Sequence, residues 1–286
     1  MNSPKEIAQN YIAIGVAKTK LPAVKMLLLG VLAGMFIALA GVGSTIVSAT
    51  IATPSLAKLL GAAVFPTGLA MVIIAGSELF TGNCLLIIPV LEKEAKLTGL
   101  LKNWIIVYIG NFIGSLLISV ITVYGGTYAL LADNAAAVTA ISTAVKKVSL
   151  TFGDALLRGI LCNFLVCIAV WIAFAAKDVV GKVAGLFLPI MMFVLSGYEH
   201  SIANMYYIPT GLLASKIEKF ENIASGVANL DKLSWVSLFT KNLIPVTLGN
   251  IIGGVVLVGV FYWFIYLHTP KKKTVTAGVG KKKKKK

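Results

Sequence analysis

Six apolar runs, each long enough for a membrane-spanning helix, constrain this chain more than any other feature. A helix that crosses the hydrocarbon core of a bilayer needs about 20 mostly apolar residues. The runs lie near residues 26–50, 59–90, 100–123, 155–176, 184–213 and 236–267. A mean hydropathy of +0.89 with 13% charged residues is far outside the range of soluble domains. We therefore predict an all-α membrane protein with six transmembrane helices.

A short helix is predicted before the first apolar run. The sequence SPKE at residues 3–6 has the pattern of a capping box, with proline at the first helical position. Apolar residues then mark one face, and Lys18 and Lys20 lie on the polar side. We expect residues 1–25 to form an amphipathic helix on the membrane surface, with these lysines against anionic headgroups of membrane lipid.

The charge of the chain indicates a membrane surface rather than nucleic acid. Of the formal net charge of +15, nine charges belong to the lysines at residues 271–273 and 281–286. Because basic segments beside a membrane span usually bind lipid, we expect no nucleic-acid partner and interpret residues 269–286 as a basic disordered tail. Lysine and arginine are also more numerous on the side that holds both termini. The positive-inside rule then predicts a multi-pass protein of the cell (inner or plasma) membrane with both termini in the cytoplasm.

The predicted transmembrane domain, residues 26–268, contains two similar halves. The matching segments are G-x-E-x-x-x-x-N at residues 76–83 and 197–204, Lys-Asn with a following G-N-x-x-G at 102–114 and 241–253, and GVLAGMFIALA at 30–40 with GILCNFLVCIA at 159–169. Each half has three spans, so the second half enters the membrane from the opposite side. We predict inverted three-helix repeats at about residues 26–123 and 152–268.

Glycine and polar residues interrupt the second and fifth spans, in GSELFTGNC at residues 76–84 and GYEHSIANM at residues 197–205. Backbone groups without hydrogen bonds are costly in hydrocarbon, so such an interruption persists only where it is buried in protein or lines a cavity. We predict that the second and fifth helices are broken and that both breaks face one pore near the bilayer midplane.

Two residue types are repeated in both interruptions. Glu78 and Glu199 are the only acidic residues inside the predicted spans. We expect each carboxylate to accept hydrogen bonds from the backbone N–H groups freed in its own break, with ion binding as the alternative. Asn83 and Asn204 are expected to cap the half-helices that resume after the breaks.

His200 differs from these residues because its counterpart in the first half is Leu79. The shared architecture therefore does not require a histidine at this position. An ionisable residue inside a membrane span is a functional candidate, and imidazole can change its charge near neutral pH. We expect His200 to act in the pore; the alternative is a buried structural histidine.

Several other classes of protein lack support in the sequence. Cys84, Cys162 and Cys167 lie inside spans without a metal-binding spacing, so we expect packing residues, no metal and no cofactor. A water or glycerol channel is an alternative, although no Asn-Pro-Ala motif occurs. An intramembrane hydrolase using Ser77 or Ser201 lacks a G-x-S-x-G elbow. We do not expect an enzyme.

AGSELFTGN at residues 75–83 and SGYEHSIANM at residues 196–205, together with KVSLTF at 147–152, resemble the formate/nitrite transporter family. The resemblance extends over about residues 5–268. It implies an aquaporin-like fold and a homopentamer with one pore in each protomer. It also implies transport of small monovalent anions, formate first, with nitrite, hydrosulfide or lactate as alternatives.

The resemblance also implies roles for single residues. The assignments are His200 as the central histidine, Thr81 as the loop threonine that faces it, Phe80 and Phe193 as the outer constriction, Phe65 as the inner constriction, Asn163 as a residue lining the path, and Lys147 in the outer vestibule. These positions hold the residue types that the family pattern requires.

The chemistry of a small anion favours passage as the neutral acid. Moving a carboxylate-sized ion into a medium of low dielectric constant has an idealised cost of order 20 kcal/mol, which aromatic rings do not offset. We expect Lys147 to concentrate anions and to favour their protonation, and His200 with Thr81 to supply hydrogen bonds at the midpoint. A proton is therefore an expected partner of transport, and its donor is left open.

Overall fold

A computed structural model describes residues 1–269 of the 286-residue chain. The predicted basic tail therefore lies, except for its first residue, outside the described residues. The helices are α1 Pro4–Lys20, α2 Ala23–Ser48, α3 Pro54–Gly76, α4 Gly82–Leu91, α5 Leu97–Tyr124, α6 Ala135–Val148, α7 Phe152–Ala175, α8 Val179–Leu195, α9 Ser201–Ala214, α10 Glu218–Ser225 and α11 Trp235–Tyr266. Short turns and 3-10 segments connect them.

Five of these helices, α2, α3, α5, α7 and α11, are long and apolar enough to cross a membrane. The all-α, multi-pass membrane class predicted from hydropathy is therefore confirmed. The run predicted as the fifth span is divided into α8 and α9, of 17 and 14 residues, and neither reaches the length of the other five. The second predicted span is likewise divided, into α3 and α4.

Helix α1 begins with the predicted capping box. The Ser3 hydroxyl accepts a hydrogen bond from the Glu6 N–H at 3.3 Å, and the Glu6 carboxylate accepts one from the Ser3 N–H at 2.7 Å. The backbone hydrogen bond from Ser3 lowers the pKa of Glu6. These reciprocal bonds satisfy donors that a helix start leaves without partners.

Helix α1 packs against the helical bundle through a buried face. Ile7 and Tyr11 are buried there, and the Tyr11 ring meets the Phe174 ring of α7 edge-on at a centroid distance of 5.5 Å. Lys18 points into the bundle, where its Nζ atom lies 3.0 Å from Oε1 of Glu78. The prediction that Lys18 binds lipid headgroups is therefore wrong, because a buried carboxylate attracts its ammonium group.

Glycines allow two pairs of long helices to cross closely. In the first half, a Cβ atom on Gly34 of α2 would collide with the backbone carbonyl of Asn111 of α5. In the second half, a Cβ atom on Gly253 of α11 would collide with the backbone carbonyl of Ile160 of α7. Backbones that approach this closely are typical of helix packing in membranes, where small residues form the contact.

Gly34→Ala is expected to destabilise the fold by about 1–3 kcal/mol, because the added methyl group has backbone rather than a flexible side chain in its way. The apparent melting temperature of the detergent-purified protein, followed by tryptophan fluorescence, should fall by several degrees. Gly153→Ala is the matched control, since a Cβ atom there meets nothing within 4 Å. Equal melting temperatures for the two variants would contradict the packing argument.

Candidate functional site

Two breaks in the helical backbone form the centre of the molecule. The first, Ser77–Thr81, separates α3 from α4, and the second, Ser196–His200, separates α8 from α9. Gly76 and Gly197 have φ angles of +80° and +71°, in the left-handed region that glycine adopts without steric cost. The repeated glycine of the sequence motif therefore marks the position where each helix ends.

Asn111 of α5 satisfies backbone groups of the first break. Its Oδ1 accepts a hydrogen bond from the Phe80 N–H at 3.0 Å. Its Nδ2 donates to the carbonyls of Gly30 at 2.7 Å and Glu78 at 2.9 Å. One buried side chain thus replaces helical hydrogen bonds that the break removes, and it joins the break to α2.

Asn250 of α11 has the same function in the second break. Its Oδ1 accepts from the Ser201 N–H at 2.9 Å, and its Nδ2 donates to the carbonyls of Gly159 at 2.8 Å and Glu199 at 2.9 Å. The motifs of the two breaks do not by themselves identify these two asparagines as supports. Their signal was the repeated G-N-x-x-G segment, which was interpreted only as part of the internal repeat.

The Glu78 carboxylate is held by side chains rather than by the backbone of its break. Lys18 of α1 forms an ion pair with it at 3.0 Å, and Nδ2 of Asn83 donates to its Oε2 at 2.7 Å. The same Nδ2 also donates to Oδ1 of Asn103 at 2.8 Å. Oδ1 of Asn83 accepts from Lys18 at 3.0 Å.

Glu199 has a matching set of partners. Lys147 of α6 lies 3.1 Å from both carboxylate oxygens, and Nδ2 of Asn204 donates to Oε2 at 2.6 Å. Nδ2 of Asn204 also donates to Oδ1 of Asn242 at 2.7 Å. Each break therefore carries a buried carboxylate that forms an ion pair with a half-buried lysine and is held by asparagines. The expected bonds from the backbone of the same break to the carboxylate are not the ones formed.

His200 is the residue that caps α9. Its Nδ1 accepts a hydrogen bond from the Ala203 N–H at 3.1 Å. The prediction that Asn204 caps this helix is wrong, because the Asn204 amide is engaged by Glu199 and Asn242. Asn83 is engaged in the same way at the start of α4, so the predicted cap is wrong there too.

The two breaks touch through His200 and Thr81. Nε2 of His200 lies 2.8 Å from the hydroxyl of Thr81, and both side chains are buried. Because Nδ1 accepts the Ala203 N–H, the proton of a neutral imidazole is on Nε2, which then donates to the Thr81 hydroxyl. A charged imidazolium would turn Nδ1 into a donor and lose the cap, so this geometry favours the neutral ring.

Asn163 of α7 supports Thr81 from behind. Its Nδ2 donates to the carbonyl of Thr81 at 3.2 Å and to that of Asn250 at 2.7 Å. Sγ of Cys167, one turn further along α7, also donates to the Thr81 carbonyl at 3.4 Å. Asn163 is fully buried, and it lines neither of the two cavities described below.

The first cavity, here the Lys147 cavity, has a volume of about 540 Å³ and is lined by Lys147, His200 and the start of α3. Phe65 and Phe193 also line it, with their rings edge-to-face at a centroid distance of 5.7 Å. The Phe193 ring lies 5.8 Å from the His200 ring. An aromatic pair therefore stands beside the imidazole in this cavity.

The second cavity, here the Lys18 cavity, has a volume of about 380 Å³ and is lined by Lys18, Glu78 and Leu79. Further residues of α1, α2, α3, α4, α7 and α8 complete the lining. Because the two cavities lie at opposite ends of α3, they approach the paired breaks from opposite sides. Leu79, the counterpart of His200 in the repeat, lines this cavity together with Ser77 and Glu78 of the first break.

The structure groups the phenylalanines differently from the sequence prediction. Phe193 was paired with Phe80, but its ring packs against Phe65. The Phe80 ring instead meets Trp104 at 5.7 Å and Tyr108 at 4.9 Å, both on α5. The predicted pairing is wrong because the bond between the Phe80 backbone and an α5 asparagine turns this side chain toward α5.

Comparison with known proteins agrees with this architecture. The sequence profile of a family described as "Formate/nitrite transporter" matches residues 5–264. This chain belongs to the formate/nitrite transporter family. A probable formate transporter of Methanothermobacter thermautotrophicus is 39% identical over 93% of this chain and 97% of its own length. The formate channel FocA of Escherichia coli (strain K12) is 37% identical, over 92% of this chain and 94% of its own length.

Solved structures of this family have the same fold. A structure described as a pentameric formate channel with formate bound is 38% identical and superposes with a TM-score of 0.77, covering 86% of this chain and 98% of that one. A structure described as an FNT family ion channel is 26% identical, with a TM-score of 0.79 over 91% of this chain and 98% of that one. Membership of the family predicted from the two break motifs is therefore confirmed.

Proposed function

We propose that this protein carries formate across the cell membrane, together with a proton, through a pore in each protomer of a homopentamer. The relatives named as formate transporter and formate channel, and the similar structure described as pentameric, support this proposal. We further propose six spans in inverted repeats, an aquaporin-like arrangement, and both termini in the cytoplasm. We also propose that the protein is not an enzyme.

One observation carries the proposal. A buried His200–Thr81 contact separates two cavities, and each cavity contains a Lys–Glu ion pair next to a helix break. Lysine side chains at both ends can concentrate a small anion on either side of the membrane. The contact at the centre offers hydrogen bonds but no permanent charge.

The central pair suits a neutral weak acid better than a free anion. A dehydrated anion at the centre would lack a counter-charge, and the idealised desolvation cost of such an ion is of order 20 kcal/mol. Since Nε2 of His200 donates to Thr81, the Thr81 hydroxyl can in turn donate to an oxygen of the bound acid. We propose that formate takes up a solvated proton from the aqueous solution in a lysine-lined cavity and passes Phe65, Phe193 and Leu79 as formic acid.

This assignment leaves His200 as a hydrogen-bonding residue rather than the source of the transported proton. Its Nδ1 holds the cap of α9, so repeated protonation would break and remake a helix end in every transport cycle. The remaining residues of the predicted set, Asn163 and the four residues that brace the breaks, are proposed to hold this geometry. The four are Glu78, Asn83, Glu199 and Asn204.

Proton-coupled transport is tested in proteoliposomes with labelled formate and an internal pH indicator. An inward proton gradient is expected to drive formate accumulation with internal acidification, and the rate should not depend on an imposed membrane potential. Formate influx that follows the membrane potential and carries no proton would contradict passage as the neutral acid. Nitrite and hydrosulfide, added as competitors in the same assay, measure the selectivity among small anions.

A further inference from the structure

The Lys147 cavity carries a larger surplus of positive charge than the Lys18 cavity. Its charged lining residues are Lys58, Lys146, Lys147, Arg158 and Glu199. Those of the Lys18 cavity are Lys18, Lys182 and Glu78. Four cations thus face one carboxylate in the first cavity, and two face one carboxylate in the second. The two ends of the transport path are therefore electrostatically different.

Three of these residues lie beside a single turn of the chain, residues 197–199, two of them through their ammonium groups. Nζ of Lys58 lies 3.1 Å from the position that a Cβ atom would occupy on Gly197. Nζ of Lys147 lies 3.1 Å from both oxygens of Glu199. The backbone carbonyl of Arg158 accepts the Glu199 N–H at 3.3 Å, and Arg158 lines the same cavity.

Only Lys147 in this group is neutralised within residues 1–269. The two ion pairs of this part of the chain are Lys18–Glu78 and Lys147–Glu199. Lys58 and Arg158 are exposed to the cavity without a carboxylate at ion-pair distance. With Lys146, the cavity holds three cations without an ion-pair partner among the described residues. Uncompensated cations in a concave site form a positive region, which favours an anion that carries two charges.

We propose that the Lys147 cavity is a binding site for a soluble dianion of the class of short dicarboxylates. The dianion binds Lys58 and Arg158 and blocks the access of formate to Phe65 and Phe193. The cavity volume of about 540 Å³ lies in the range of small-molecule sites. A dianion cannot follow formate through the pore, because uptake of one proton still leaves a full charge that must be desolvated. The proposed block of transport depends on the proposed function as a formate transporter, whereas the proposed binding of a dianion does not.

Binding is measured by isothermal titration calorimetry of the purified protein in detergent, with succinate as the probe at low salt. Wild-type protein is expected to bind succinate saturably. Lys58→Ala/Arg158→Ala should weaken binding by about tenfold, the loss of two partly exposed charge contacts. Added sodium chloride should weaken binding to the wild type, because these contacts are screened.

The matched control is Lys102→Ala/Lys241→Ala, which removes the same two charges from exposed positions outside both cavities. This variant is expected to bind succinate as the wild type does. If both double variants bind succinate equally weakly, the loss of affinity follows the net charge of the protein rather than these two residues, and the proposed site is wrong. Absence of saturable binding to the wild type would overturn it as well.

The blocking role is tested by formate uptake into proteoliposomes with succinate on both faces. Succinate is expected to inhibit the wild type and the control variant, and to inhibit Lys58→Ala/Arg158→Ala only at about tenfold higher concentration. Sodium chloride of equal ionic strength and the neutral diamide of succinate should not inhibit. Saturable binding with undiminished uptake would overturn the block. Absence of formate uptake without succinate would instead contradict the proposed function and leave the calorimetric result standing.

Discussion

Replacing His200 with asparagine is expected to reduce formate uptake by about tenfold or more, with little change in stability. Asparagine is a good helix N-cap, so its side-chain oxygen can accept the hydrogen bond from the Ala203 N–H in place of the imidazole nitrogen. Its shorter amide does not reach Thr81 as Nε2 does, which removes the donor that orients the Thr81 hydroxyl. Loss of about 1.4 kcal/mol of hydrogen bonding at the barrier corresponds to a tenfold lower rate.

His200→Leu separates the structural contribution of this residue from its role in transport. Leucine removes both hydrogen bonds, so uptake should fall at least as far, and the lost cap should reduce stability by about 1 kcal/mol. Uptake is measured as the initial rate in proteoliposomes, and stability by tryptophan fluorescence during thermal unfolding. Asparagine and leucine variants that transport formate at the wild-type rate would remove His200 from the mechanism.

Lys147→Met is expected to destabilise the protein by about 3–5 kcal/mol, because it leaves the buried carboxylate of Glu199 without its cation. The double variant Lys147→Met/Glu199→Gln should recover much of this loss. Glutamine keeps an oxygen that accepts from the Asn204 amide and carries no charge. Both variants should still transport formate poorly at low concentration, since the lysine that gathers the anion is absent.

The corresponding pair in the other cavity is a matched comparison. Lys18→Met and Lys18→Met/Glu78→Gln should show the same order of stability, because Glu78 has an equivalent set of partners. Apparent melting temperatures of these four variants, of the single variants Glu199→Gln and Glu78→Gln and of the wild type form two double-mutant cycles. A single lysine variant that is no less stable than its double variant would show that the buried carboxylate does not require the ion pair.

Local patterns in the sequence were sufficient for the membrane class and for the positions of both breaks. Hydropathy located the apolar helices, because spanning the bilayer depends on the composition of one contiguous segment. The repeated glycines, Gly76 and Gly197, marked the breaks, because glycine has no Cβ atom and adopts the left-handed backbone conformation without steric cost. The capping box of α1 could also be predicted, because it depends on residues only three positions apart in the sequence.

The partners of the polar residues required the tertiary structure. Lys18 was interpreted as a lipid contact, yet it reaches Glu78, 60 positions away in the chain. Asn111 and Asn250, rather than the asparagines of the breaks, satisfy the broken backbone. Such bonds depend on which helices cross, and that depends on packing between segments far apart in sequence.

The sequence by itself determined which segments are helical, which positions interrupt them and which residue types are available for chemistry. Only the tertiary structure decided that Phe65 rather than Phe80 packs beside Phe193, and that the imidazole of His200 is committed through Nδ1 to a helix cap. The physical reason is that the direction of a side chain is set by contacts with other elements. Helical periodicity and motif spacing describe a single element at a time.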